Sequence, residues 1–124
     1  MDKKESLLAP VESLGPFEHE VLMAIIRLGD DAYSVTIKEE LNLRIGKDPA
    51  LGTISVALSR MERRGLLRSV QGVSEEGRIG RPKRLYSLTP AGASALNRLH
   101  EQHQRLWDGL DRVSSPEQPL GDEG

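Results

Sequence analysis

LGTISVALSRMERRG, residues 51–65, decides how this chain is read. Leu51, Ile54, Leu58 and Met61 recur at intervals of 3, 4 and 3, which lines them up along one side of an α-helix. The other side carries Thr53, Ser55, Val56, Ser59, Arg60 and Arg63, with small groups first and arginines last. Gly65 is suited to the position just past a helix end. The result is an amphipathic helix whose polar face becomes basic toward its C-terminus.

The basic character is local. The chain has 124 residues, a net charge of −2 and a pI near 5.9. Residues 1–59 carry a balance of −4, residues 60–84 a balance of +5 and residues 85–124 a balance of −3. Arg60, Arg63, Arg64, Arg68, Arg78, Arg81, Lys83 and Arg84 make up the positive block. Such a block between acidic flanks suggests an anion-binding surface; a solvated basic face is the bland alternative.

Length allows one domain, and 37% hydrophobic residues give a thin core, so a partner subunit would add stability. There is no cysteine, hence no disulfide and no cysteine-ligated zinc. No apolar run approaches a membrane span, and MDKKESLLAPVES lacks the apolar core of a signal peptide. These features fit a cytoplasmic protein.

Downstream of Gly65, LLRSV and KRLYSLT read as strands, and QGVSEEGRIGRP between them as a long, flexible hairpin tip. Upstream, PFEHEVLMAIIRLG predicts a helix with Pro16 in its first turn and Phe17, Val21, Leu22, Ile25, Ile26 and Leu28 on its apolar face. A second helix is expected after Ser34 as N-cap, with Val35, Ile37, Leu41 and Ile45 recurring at roughly helical intervals, broken by Gly46-Lys47-Asp48-Pro49. A last helix starts at Thr89-Pro90. In it Leu96, Leu99, His103, Leu106, Leu110 and Val113 are spaced 3, 4, 3, 4 and 3, a heptad seam suited to pairing with a second copy.

Three helices followed by a two-stranded hairpin make a winged helix-turn-helix, an α+β fold that is mainly α, here with a long C-terminal dimerisation helix. The expected layout is a loose N-terminal arm (1–13), a DNA-binding domain (14–89), a dimerisation helix (90–113) and a disordered tail (114–124). In such folds the third helix enters the major groove and the wing follows the flanking backbone or minor groove. The basic block spans those two elements. The expected partners are double-stranded DNA and a second copy of the chain.

LGPFEHEVLMAII, DAYSVTIKEEL, GTISVALSRMERRGLL and GRPKRLYSLTPAG resemble the PadR family of bacterial transcriptional regulators, in order and in spacing, over roughly residues 14–110. The resemblance implies a dimeric winged-helix repressor, in some members responsive to small aromatic or multidrug-like effectors. Two positions depart from the family pattern. Ser55 stands where the recognition helix usually has a tyrosine, and Tyr33-Ser34 replaces a Tyr-Gly pair.

Candidate DNA contacts follow. Thr53, Ser55 and Val56 lie where base edges are met, through hydroxyls and contacts with thymine methyls. Ser59, Arg60 and Arg63 come one or two turns later, while Arg64 faces away toward an acid. Arg78, Arg81, Lys83 and Arg84 supply the wing. Gly80-Arg81-Pro82-Lys83 resembles the centre of an AT-hook, which makes Arg81 the candidate for minor-groove insertion. On the last helix the family resemblance implies ligand stacking by Trp107; an anchor onto the partner helix is the other reading. His103 reads as a polar residue of the dimer seam, and two copies meeting there would repel once protonated near about pH 6. His100 and His103 share a face but lack further metal ligands, so no metal and no cofactor is expected. No nucleophile–histidine–acid set or phosphate-binding glycine loop appears, so an enzyme is not expected. A winged-helix module that binds an acidic protein instead of DNA remains the alternative.

Overall fold

The computed structural model describes residues 14–72, 83–110 and 113. Three helices come first: α1 (Pro16–Leu28), α2 (Ser34–Ile45) and α3 (Leu51–Arg63), with a short 3-10 turn (Gly29–Asp31) after α1. Two strands, β1 (Leu67–Gln71) and β2 (Arg84–Leu88), pair antiparallel, with Leu67 opposite Leu88 and Gln71 opposite Arg84. The last helix, α4, runs from Pro90 to Trp107. This is a winged helix-turn-helix with an additional C-terminal helix.

One apolar cluster joins the elements. Val21, Leu22 and Ile25 of α1 meet Ile37 and Leu41 of α2 and Ile54, Leu58 and Met61 of α3. Leu66, Leu67, Ala95 and Leu96 close it from the wing and α4. The predicted stripe of α3 is therefore core, except that Leu51, at the helix entrance, stays 43% exposed. Ile26, expected on the apolar face of α1, is 56% exposed, and on α2 only Ile37 and Leu41 are buried while Val35 and Ile45 are exposed.

The turn between α2 and α3 sets the angle of α3. Gly46 adopts φ +69°, a left-handed conformation that suits glycine. Lys38 then reaches across, its Nζ donating to the Pro49 carbonyl at 2.9 Å and pairing with Asp48 at 2.8 Å. Lys47 pairs with Glu20 of α1 at 2.9 Å.

Two boundaries and one added bond differ from the sequence reading. Tyr33, not Ser34, is the N-cap of α2; Thr36 takes the capping role, its Oγ1 accepting from the Tyr33 amide at 3.0 Å. On the side of β2 away from β1, the Tyr86 amide donates to the carbonyl of buried Ala32 at 2.9 Å, a strand-like bond. Finally, α4 stops at Trp107 instead of reaching residue 113. Asp108 turns extended, and Gly109 takes φ +83°. Leu110 and Val113 thus lie beyond the helix, and the six-residue seam is not carried by one continuous helix.

The start of α4 agrees with its sequence signals. Thr89 Oγ1 accepts from the Gly92 amide at 3.0 Å and donates to the Gly65 carbonyl at 2.6 Å. Gly92 is obligatory there: a Cβ would lie 2.1 Å from the Leu66 carbonyl oxygen.

Candidate nucleic-acid interface

Burying Ile54, Ala57, Leu58 and Met61 turns the rest of α3 outward. Thr53, Ser55, Val56, Ser59, Arg60 and Arg63 are all exposed, and they form one continuous face. Its first turns carry two hydroxyls and a Val56 side chain; its last turns carry two guanidinium groups. Thr53, Val56 and Arg60 also border a groove of about 600 Å³ whose other wall is the N-terminal turn of α1.

Arg64 behaves differently from its neighbours. It points back to α1 and pairs with Glu18 at 3.2 Å. Glu18 also accepts from the Gly15 amide at 3.0 Å, so the same carboxylate caps α1 and ties it to the end of α3.

The wing presents two of its four expected contacts. The Lys83 ammonium sits 4.6 Å from the centre of the Tyr33 ring, a cation–π contact between the wing base and the start of α2. Arg84 is exposed, and its Nε donates to Ser69 Oγ at 3.0 Å. Arg78 and Arg81 lie outside the described residues.

Sequence reasoning overlooked two residues here. Ser69 Oγ donates to Glu62 Oε2 at 2.9 Å, which links β1 to α3. Nothing in the sequence signals this bond, because Glu62 reads as one acid among arginines. Tyr86 lies nearby. Burial pushes its hydroxyl pKa up, the Glu62 carboxylate adds to the rise and Arg84 opposes it.

The expected dimer residues divide. Leu96 is only 6% exposed and belongs to the protomer's own core. Leu99 is half-buried, beside a cleft between α1 and α4. The His103 ring meets His19 of the same chain edge-on, with ring centres 5.9 Å apart. Leu106, Trp107, Leu110 and Val113 are exposed, Leu106 by 72%. Among the described residues, no three metal-type ligands come together, and no helix is long and apolar enough to cross a membrane.

The model of the transcriptional regulator PadR-like family matches residues 21–98. Among solved structures, a PadR family transcription regulator from Clostridium difficile is 27% identical with a TM-score of 0.54, over 74% of this chain and 92% of that one. A PadR-like transcriptional regulator from Bacillus cereus is 19% identical with a TM-score of 0.61, over 77% and 87%. Apo MarR from Escherichia coli is 21% identical with a TM-score of 0.58, over 94% and 81%. No curated protein sequence matches the chain.

Proposed function

The chain belongs to the PadR-like family of transcriptional regulators, and from that premise we propose that it is a homodimeric repressor whose α3 enters the major groove of its operator. The observation that carries this reading is the outward face of α3. It is mostly polar, it ends in Arg60 and Arg63, and α3 packs against β1 of the wing. Thr53, Ser55 and Val56 meet base edges, and Arg60 and Arg63 meet phosphates. Arg78 and Arg81 follow the flanking backbone or minor groove, with Lys83 and Arg84 at the base of the wing. The acidic remainder keeps the rest of the surface from binding DNA indiscriminately.

Dimerisation uses the outer part of α4 and the turn after it. Leu106, Trp107, Leu110 and Val113 leave an apolar strip that a second copy would cover. Two recognition helices related by a two-fold axis read a pseudo-palindrome. If an effector acts, Trp107 is the flat surface on which it stacks.

The test is DNA protection by wild type and by Arg60→Ala and Arg81→Ala, using DNA from upstream of the protein's own gene. Each substitution is expected to weaken protection roughly tenfold or more while the dimer stays intact. Unchanged protection would remove these residues from the interface. An intact dimer that protects no DNA would favour the protein-interaction reading.

A further inference from the structure

We propose that Glu62 and Ser69 are positioning residues that hold the guanidinium of Arg84 ready for a DNA phosphate at the junction of α3 and the wing. The inference rests on the DNA-binding reading and adds to it a device that orients one contact.

Strand parity places the group. Leu67, Ser69 and Gln71 share a face of the hairpin with their partners Leu88, Tyr86 and Arg84. Leu67 is buried in the core, so this face looks inward, toward α3. Arg84 lies at its outer end, past the edge of the core, where the side chain is exposed.

The hydrogen bonds give the chain a direction. Arginine can only donate, and an ionised carboxylate can only accept. Ser69 therefore accepts from Arg84 Nε at 3.0 Å and sends its own proton to Glu62 at 2.9 Å. Each bond polarises the other. With Nε occupied, the end-on pair of Nη donors remains the edge that can grip two phosphate oxygens. Lysine offers no such division of labour, having one nitrogen for both tasks.

The relay also accounts for an acid in an unwelcome place. Glu62 sits among Arg60, Arg63 and Arg64, on the helix meant to approach a polyanion. A free carboxylate there would repel DNA. A carboxylate committed to Ser69 works indirectly, by ordering a cation.

The two roles give opposite signs for one substitution. Affinity is measured on the upstream DNA fragment over a range of salt, for wild type, Glu62→Gln, Ser69→Ala, Ser69→Thr and Arg84→Ala. Thermal melting of each variant confirms folding. Glu62→Gln and Ser69→Ala are expected to bind roughly fivefold more weakly, the worth of one hydrogen bond, with the wild-type salt slope. Ser69→Thr keeps the hydroxyl and should bind like wild type. Arg84→Ala should weaken binding and also flatten the slope by about 0.9 per protomer, one phosphate contact. In DNA-free protein, the Arg84 Nε–H resonance should be slow to exchange in wild type and fast in Ser69→Ala. Glu62→Gln binding as well as wild type, or better, overturns the inference, as does Arg84→Ala with an unchanged slope. Failure of wild type itself to form a discrete complex would instead overturn the DNA-binding reading beneath it.

Discussion

Two glycines carry opposite consequences for the same change. At Gly92 a methyl group would meet the Leu66 carbonyl oxygen at 2.1 Å, a backbone atom that cannot swing aside as a flexible side chain could. Gly92→Ala should therefore destabilise the fold by about 1–3 kcal/mol, the usual cost of overpacking. At Gly52, in the first turn of α3, nothing lies within 4 Å of the added Cβ. Gly52→Ala should stabilise by about 0.5–1 kcal/mol, because alanine loses less backbone freedom in a helix. Urea unfolding of the two variants checks both signs; equal shifts would contradict the packing described at Gly92. The arginines of α3 divide in the same residue-by-residue way. Arg60 and Arg64 are four apart and chemically identical, yet Arg60 faces outward and Arg64 grips Glu18. Helical periodicity made the outward face legible in the sequence. The Glu62–Ser69–Arg84 relay is not legible, because it depends on which residues of β1 and β2 face each other, and alternation within a strand does not set that register.

At the scale of elements, boundaries are legible where local capping chemistry marks them. Thr89-Pro90 announced α4 through local capping chemistry, and the structure uses it so. The heptad spacing then carried the expected helix past Gly109, although a glycine after Asp108 is itself a stop signal. Periodicity also placed Leu96 in the seam, because spacing does not say which neighbour an apolar residue meets. The junction of α1 and α4 was invisible in sequence: His19 and His103 are 84 positions apart and meet ring to ring. Burial is the main reason that His19 sits below the usual histidine value of 6.5; His103 and His100 lower it further, and the Glu20 carboxylate pulls it back. The unfolded chain takes up a proton at His19 more readily than the folded one, so stability is complete above about pH 6.5 and falls as acid is added below it. Melting temperature should drop between about pH 7.5 and pH 5.0, and His19→Gln should remove part of that drop. An identical drop in the variant would mean that other groups account for all of it.

On the scale of the whole molecule, Arg60, Arg63 and Arg84 of the basic block lie on α3 and β2, and the apolar strip of Leu106, Trp107, Leu110 and Val113 lies at the end of α4 and just after it. Fold class and the outward face of α3 could both be read from sequence, since each follows from local periodicity. The exposed apolar strip at the end of α4 could not, since it depends on where α4 ends. Leu106→Glu places a charge in the middle of the exposed strip. It should halve the mass seen by sedimentation and weaken operator binding, while leaving the melting of the wing and core little changed. A Leu106→Glu protein that remains dimeric would place the two-fold elsewhere.

The most direct measurement is the binding of wild-type protein to DNA from upstream of its own gene, over a series of salt concentrations and with excess nonspecific competitor. The expected result is a discrete, competitor-resistant complex whose log affinity falls with log salt at a slope of about −4 or steeper, as two protomers each neutralise two or more phosphates. A salt-labile smear with no protected sequence would contradict the account, and would leave the basic face of α3 and the wing to an acidic partner other than DNA.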